Sequence, residues 1–133
     1  MVDLITQKKK TKLSLDIRPG KFFKHFLSNL ASGFDAEAKQ KLVAETKDVL
    51  GACNNPRSKE PYLNTGSVVG YVQSGKTTSF NALSMLALDN GYDFVIVLGG
   101  RNNPLLNQNK KEFRDLLLPF SADDSIDFFE ASK

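Results

Sequence analysis

The sequence predicts an α/β fold: the start of a parallel sheet that holds a phosphate-binding loop, preceded by a helical segment. Three observations carry this. The apolar run "SVVGYV" at residues 67–72 leads into Gly70-x-x-x-x-Gly75-Lys76-Thr77, and a helix-forming stretch leads out of it. The run "DFVIVLGG" at 93–100 is continuously apolar, as suits a parallel strand covered on both faces. Residues 21–51 show helical spacing and no strand alternation.

In chain order, residues 1–20 read as an irregular basic tail with Lys8, Lys9, Lys10 and Lys12, closed by Arg18-Pro19-Gly20. The stretch "KFFKHFLSNL" at 21–30 places Phe22, Phe23, Phe26, Leu27 and Leu30 at helical spacing. Asp35 is a helix N-cap, and residues 35–51 are strong helix formers with Leu42, Val43, Thr46 and Leu50 on a stripe and Gly51 as the stop. The helical segment thus spans 21–51. Residues 52–66, with two prolines and three asparagines, form a loop. The phosphate-loop domain begins at 67 and runs to 133. After the first strand, "KTTSFNALSMLALDN" reads as a helix ended by Asn90-Gly91. The second strand follows at 93–100. Pro104 opens a helix that reaches about Leu118, where Pro119 ends it. A weak strand signal lies at 126–129.

A chain of 133 residues, 41% apolar and 25% charged, has the length and composition of one globular domain. Its net charge of +3 is compatible with a polyanionic partner. No apolar run approaches the ~20 residues a membrane helix needs, so no membrane partner is expected. The lone cysteine, Cys53, forbids an internal disulfide and suits a reducing, cytoplasmic setting. It reads as an inert thiol in a loop.

The chemistry is concentrated in Gly70, Tyr71, Val72, Gln73, Ser74, Gly75, Lys76, Thr77 and Thr78. The two glycines allow backbone angles and close approaches that a Cβ would block. Successive N–H groups then turn inward as an anion nest, and the helix beginning near Lys76 adds the positive end of its dipole. Lys76 is the catalytic candidate, a point charge for the β- and γ-phosphates. The Thr77 hydroxyl is the ligand expected for Mg²⁺. ATP and Mg²⁺ are therefore the expected cofactors. By average residue usage, the pattern arises by chance in a chain of this length roughly once in a few hundred.

A nucleotide hydrolase also needs an acid at the carboxyl end of a second strand. Asp93 stands at the amino end of its run, and no apolar run precedes Asp123, Asp124, Asp127 or Glu130. The chain is therefore expected to be the N-terminal part of a longer protein and inactive in hydrolysis alone.

The stretch 65–108 resembles the opening of the Z-one domain family, endonucleases of prokaryotic and viral genomes related to superfamily-two helicases and restriction translocases. The matching pieces are "VVGYVQSGKT" at 68–77, Gly91-Tyr92, the run 95–100, Asn102-Asn103, and Leu106 with Gln108. The resemblance implies a RecA-like, helicase-like P-loop NTPase sheet and a complete protein that acts on nucleic acid, DNA before RNA. It also implies that Gly99, Gly100, Arg101 and Asn103 fall where such motors touch the nucleic-acid backbone. The same turn reads equally as an ordinary βα connection rich in Gly and Asn. Two other readings stay open: a P-loop small-molecule kinase, and a non-catalytic P-loop remnant or regulatory binding module.

Overall fold

The computed structural model of the chain describes residues 2–3, 16–30, 33–59, 65–70, 75–98, 103–122, 125–127 and 129. Among these the structure is helical. Strand β1 (Val2–Asp3) is followed by α1 (Lys21–Ser28), α2 (Ala36–Ala52), β2 (Val69–Gly70), α3 (Lys76–Asp89) and α4 (Asn103–Ser121). The chain divides into two units, residues 1–95 and 96–133.

The parallel sheet predicted from the sequence does not form among the described residues. The first strand was expected at 67–72; of its described residues, 67–70, only Val69 and Gly70 pair, and they pair antiparallel to Val2 and Asp3 (Val2 opposite Gly70, Asp3 opposite Val69). Residues 93–98, the second predicted strand, have no regular structure, and Phe94 (86%), Ile96 (82%) and Leu98 (91%) stand exposed. The physical reason is non-locality. A β-branched, apolar run becomes a strand only when another strand supplies its hydrogen bonds, and this run finds none among the described residues. The run's end at 99–100 lies outside the described residues. Residues 125–127 and 129, where a weaker strand was expected, are also irregular.

In the first unit, α3 is the central element, and α1 and α2 both pack on it. Its buried residues Asn81, Ala82, Ser84, Met85, Leu86 and Ala87 run around the helix rather than along one stripe, as expected of a helix covered from two sides. From α1 the buried set is Phe22, Phe23 and Phe26, with the rings of Phe23 and Phe26 stacked at 6.0 Å between centroids. From α2 it is Leu42, Thr46 and Leu50. Helix α3 is thus enclosed by helices where an α/β fold would have placed a sheet. Buried hydroxyls are satisfied within their own helices: Thr46 Oγ1 donates to the Leu42 carbonyl at 2.6 Å and Ser84 Oγ to the Phe80 carbonyl at 2.8 Å.

The helix ends follow local chemistry. Asp35 caps α2, accepting from the Ala38 N–H at 2.8 Å. Gly51 does not stop α2, which continues to Ala52; Leu50, fully buried one residue earlier, holds the last turn in place. Helix α3 closes with Gly91 at φ +87° and the Tyr92 N–H on the Ala87 carbonyl at 3.2 Å, the left-handed closure expected at Asn-Gly.

Helix α1 has no capping side chain on Gly20 and no acid in its first turn. Its cap comes from the far end of α3. The Asp89 carboxylate accepts the N–H groups of Gly20 (2.8 Å), Phe22 (3.1 Å) and Phe23 (2.9 Å). Beside it, the Asn90 side chain accepts from the Arg18 N–H at 2.9 Å and donates to the carbonyls of Arg18 (3.0 Å) and Leu86 (2.7 Å). Gly20 is required by this approach, because a Cβ there would lie 2.5 Å from Asp89 Oδ1.

In the second unit, α4 buries Phe113 and Leu117, one turn apart. Pro119 does not end it, since the helix runs on to Ser121 with the proline inside its last turn. Among the described residues no helix is long and apolar enough to cross a membrane.

Candidate phosphate site and the groove beside it

Helix α3 begins where the sequence places the end of the phosphate loop. Gly75 is its N-cap, in the left-handed conformation at φ 76°, ψ 26°. A residue with a Cβ would pay roughly 1–2 kcal/mol there, so glycine is required by the backbone alone. Space is open around it: a Cβ added to Gly75 would meet nothing within 4 Å. The turn that follows carries no acid and no side-chain cap from Gly75. The first helical bond runs from the Ser79 N–H to the Gly75 carbonyl at 3.1 Å. The N-terminal N–H groups of α3 and the positive end of its dipole thus lie at an exposed, glycine-capped end. Lys76 is exposed and Thr77 and Thr78 are half-buried on this turn.

Of the predicted binding residues, Gly70 is the second residue of β2, while Gly75, Lys76, Thr77 and Thr78 share the start of α3. Tyr71, Val72, Gln73 and Ser74 lie outside the described residues. So do Gly99, Gly100 and Arg101 of the predicted nucleic-acid contact. Asn103 is the first residue of α4. The residues present fit a phosphate chain with Mg²⁺. Gly75 leaves room for close approach, Lys76 brings the charge, and the Thr77 hydroxyl is the expected oxygen ligand for the ion. Among the described residues no group of three or more His, Cys, Asp or Glu side chains could hold a metal by itself. A Mg²⁺ ion bound here would therefore take most of its ligands from phosphate and water, as this ion ordinarily does.

A groove of about 200 Å³ opens between α2 and α3, and Lys76 is on its wall. Leu42 and Val49 face it from α2, and Phe80 and Leu83 from α3, with Glu45 among its few polar groups. The sequence reading missed this feature. Its signal was present in the spacing Lys76, Phe80, Leu83, which puts a cation and two large apolar residues on one face of a helix.

Cys53 stands apart from both features. It is half-buried after α2, its Sγ donates to the Val49 carbonyl at 3.4 Å, and burial pushes its thiol pKa up. The thiolate is the reactive form, so at pH 7 Cys53 is expected to react with a disulfide reagent more slowly in the folded chain than in urea. The difference should narrow as pH rises above the ordinary thiol range of ~8.5. Equal rates at pH 7 would show that the thiol is not shielded.

No family model, no characterised protein and no solved structure matches this chain.

Proposed function

We propose that the first turn of α3 binds the phosphates of ATP with Mg²⁺, and that the chain is the nucleotide-binding part of a Z-one-type ATPase acting on nucleic acid. The observation that carries the binding reading is the conformation of Gly75. A left-handed, side-chain-free N-cap with open space around it, directly before Lys76 and Thr77, is what the Gly-x-x-x-x-Gly-Lys-Thr pattern demands of its second glycine. The wording at 68–77 and the Asn102, Asn103 and Gln108 positions support the family reading.

Each residue has a distinct task in this reading. Gly75 lets backbone N–H groups approach an anion. Lys76 places an ammonium against the β- and γ-phosphate oxygens, and the Thr77 hydroxyl would help to hold the Mg²⁺ ion. Mg²⁺, when bound, neutralises phosphate charge. The proposal for this chain is binding. Turnover and any contact with DNA through Gly100, Arg101 and Asn103 are assigned to the complete protein.

The test is a titration of ATP with Mg²⁺ into wild type and Lys76→Ala, each checked for folding by circular dichroism. Loss of a charge-assisted contact to phosphate should weaken binding by about tenfold or more. Equal affinity in the two proteins would remove the basis of the reading.

A further inference from the structure

We propose that the groove between α2 and α3 seats the base of the bound nucleotide, so that one face of α3 holds phosphates at its first turn and a purine ring farther along. The inference rests on the phosphate-binding reading above and adds to it a second subsite.

Three observations lead here. Lys76 belongs both to the phosphate turn and to the groove wall, which makes the two regions continuous. Lys76, Phe80 and Leu83 occupy positions i, i+4 and i+7 of one helix, a single stripe about 10 Å long at 1.5 Å rise per residue. Helical side chains lean toward the N-terminus, so the Phe80 and Leu83 walls tilt toward the phosphate end. The third observation is size and character. At about 200 Å³ the groove is smaller than the ~300–1,000 Å³ of pockets that swallow a whole drug-sized ligand. Its walls of Leu42, Val49, Phe80 and Leu83 suit a flat apolar ring rather than a charged chain. A nucleotide has both parts joined, and Lys76 on the groove wall stands where they would meet. Glu45, at the groove, is paired through Oε1 with Lys41 Nζ at 3.8 Å, and a carboxylate can accept further bonds, so it can also take one from an exocyclic amine, which favours an amino-bearing purine.

The deciding experiment compares ATP with inorganic tripolyphosphate, both with Mg²⁺, on the 133-residue chain. Tripolyphosphate carries at least as much charge but no base, so charge alone cannot make it the weaker ligand. Stacking a base on an aromatic side chain is worth a factor of about 5–150 in affinity, and ATP should bind tighter than tripolyphosphate by a factor in that range. Val49→Trp, which fills the groove, should bring ATP down to the tripolyphosphate level and leave tripolyphosphate binding unchanged. Phe80→Ala should weaken ATP alone. Equal wild-type affinities for the two ligands would overturn the base subsite and leave the phosphate site standing. That comparison needs no variant and decides the matter even if Val49→Trp does not fold. A folded Val49→Trp protein with undiminished ATP affinity would also overturn the subsite. Failure of both ligands to bind wild type would overturn the phosphate reading together with it.

Discussion

Phe23→Ala is expected to lower the unfolding free energy by about 3–5 kcal/mol. Phe23 is fully buried, with no exposed surface, and its ring stacks on Phe26. Truncation to alanine forfeits the transfer of a whole ring and leaves a cavity that α1 and α3 cannot close without moving. Domains of this size are stable by only about 5–15 kcal/mol, so a single substitution here removes a large share of the total. The internal control is Phe94→Ala. Phe94 is 86% exposed, and its removal should stay within about 0.5 kcal/mol of wild type. Guanidinium unfolding monitored by circular dichroism gives both values from the midpoints, provided the slope is unchanged. If Phe23→Ala and Phe94→Ala cost the same, α1 is not seated on α3. The consequence reaches the candidate site. With α1 and α2 packed on α3, Lys76 stays exposed and Thr77 to Phe80 half-buried on the first turn, beside the groove.

What could be read from the sequence, and what could not, follows from the range of the interactions involved. Helices α1, α2 and α3 were legible because their signals are local. The Phe22, Phe23 and Phe26 spacing, the Asp35 cap and the Asn90-Gly91 closure each act within a few residues. The motif marked Gly75 as a position where a Cβ would be unwelcome, and the structure adds that its backbone is left-handed. The strands were not legible. The runs at 67–72 and 93–100 have strand composition, but composition says nothing about a pairing partner. Val69 and Gly70 found theirs in Val2 and Asp3, some 67 positions upstream in sequence, and in the antiparallel sense. The replacement of a sheet by two helices on α3 is likewise a choice between long-range contacts, which periodicity does not record. Pro119 shows a smaller failure of the same kind. A proline lacks an N–H and usually ends a helix, yet α4 carries it inside the last turn, forgoing the single bond its N–H would have made to the Asp115 carbonyl, and the helix ends two residues later. Asp89 was illegible for its partner's distance. Its one legible hint was negative: α1 has neither a capping side chain nor an acid in its first turn, so the cap had to come from elsewhere.

That cap yields the other large effect. Asp89→Ala is expected to cost about 2–4 kcal/mol, because it strips the acceptor from three backbone N–H groups at once. Hydrogen bonds to a charged group are worth about 1.5–3 kcal/mol each in isolation, and loss of an ordinary N-cap about 0.5–2. Three bonds on one partly buried carboxylate fall between one such bond and their sum. The placement supports a large value. An acid at the C-terminus of α3 is disfavoured by that helix's own dipole, by about 0.3–1 kcal/mol. Asp89 is held there by the opposite dipole end of α1 and by the N–H groups of Gly20, Phe22 and Phe23. A fall of roughly 10 °C or more in melting temperature follows for a unit of this size. Gly20→Ala tests the same contact from the other side, since its Cβ would press on the carboxylate that it now bonds. In a double-mutant cycle the two should be strongly non-additive, as one contact cannot be lost twice. Asp89 and Lys76 stand at opposite ends of α3, about 20 Å apart along the axis. Asp89→Ala should therefore lower the melting temperature and leave ATP affinity, measured well below the melt, as in wild type. Additive costs for Asp89→Ala and Gly20→Ala, or a melt within about 2 °C of wild type for the aspartate variant, would show that α1 is capped in some other way.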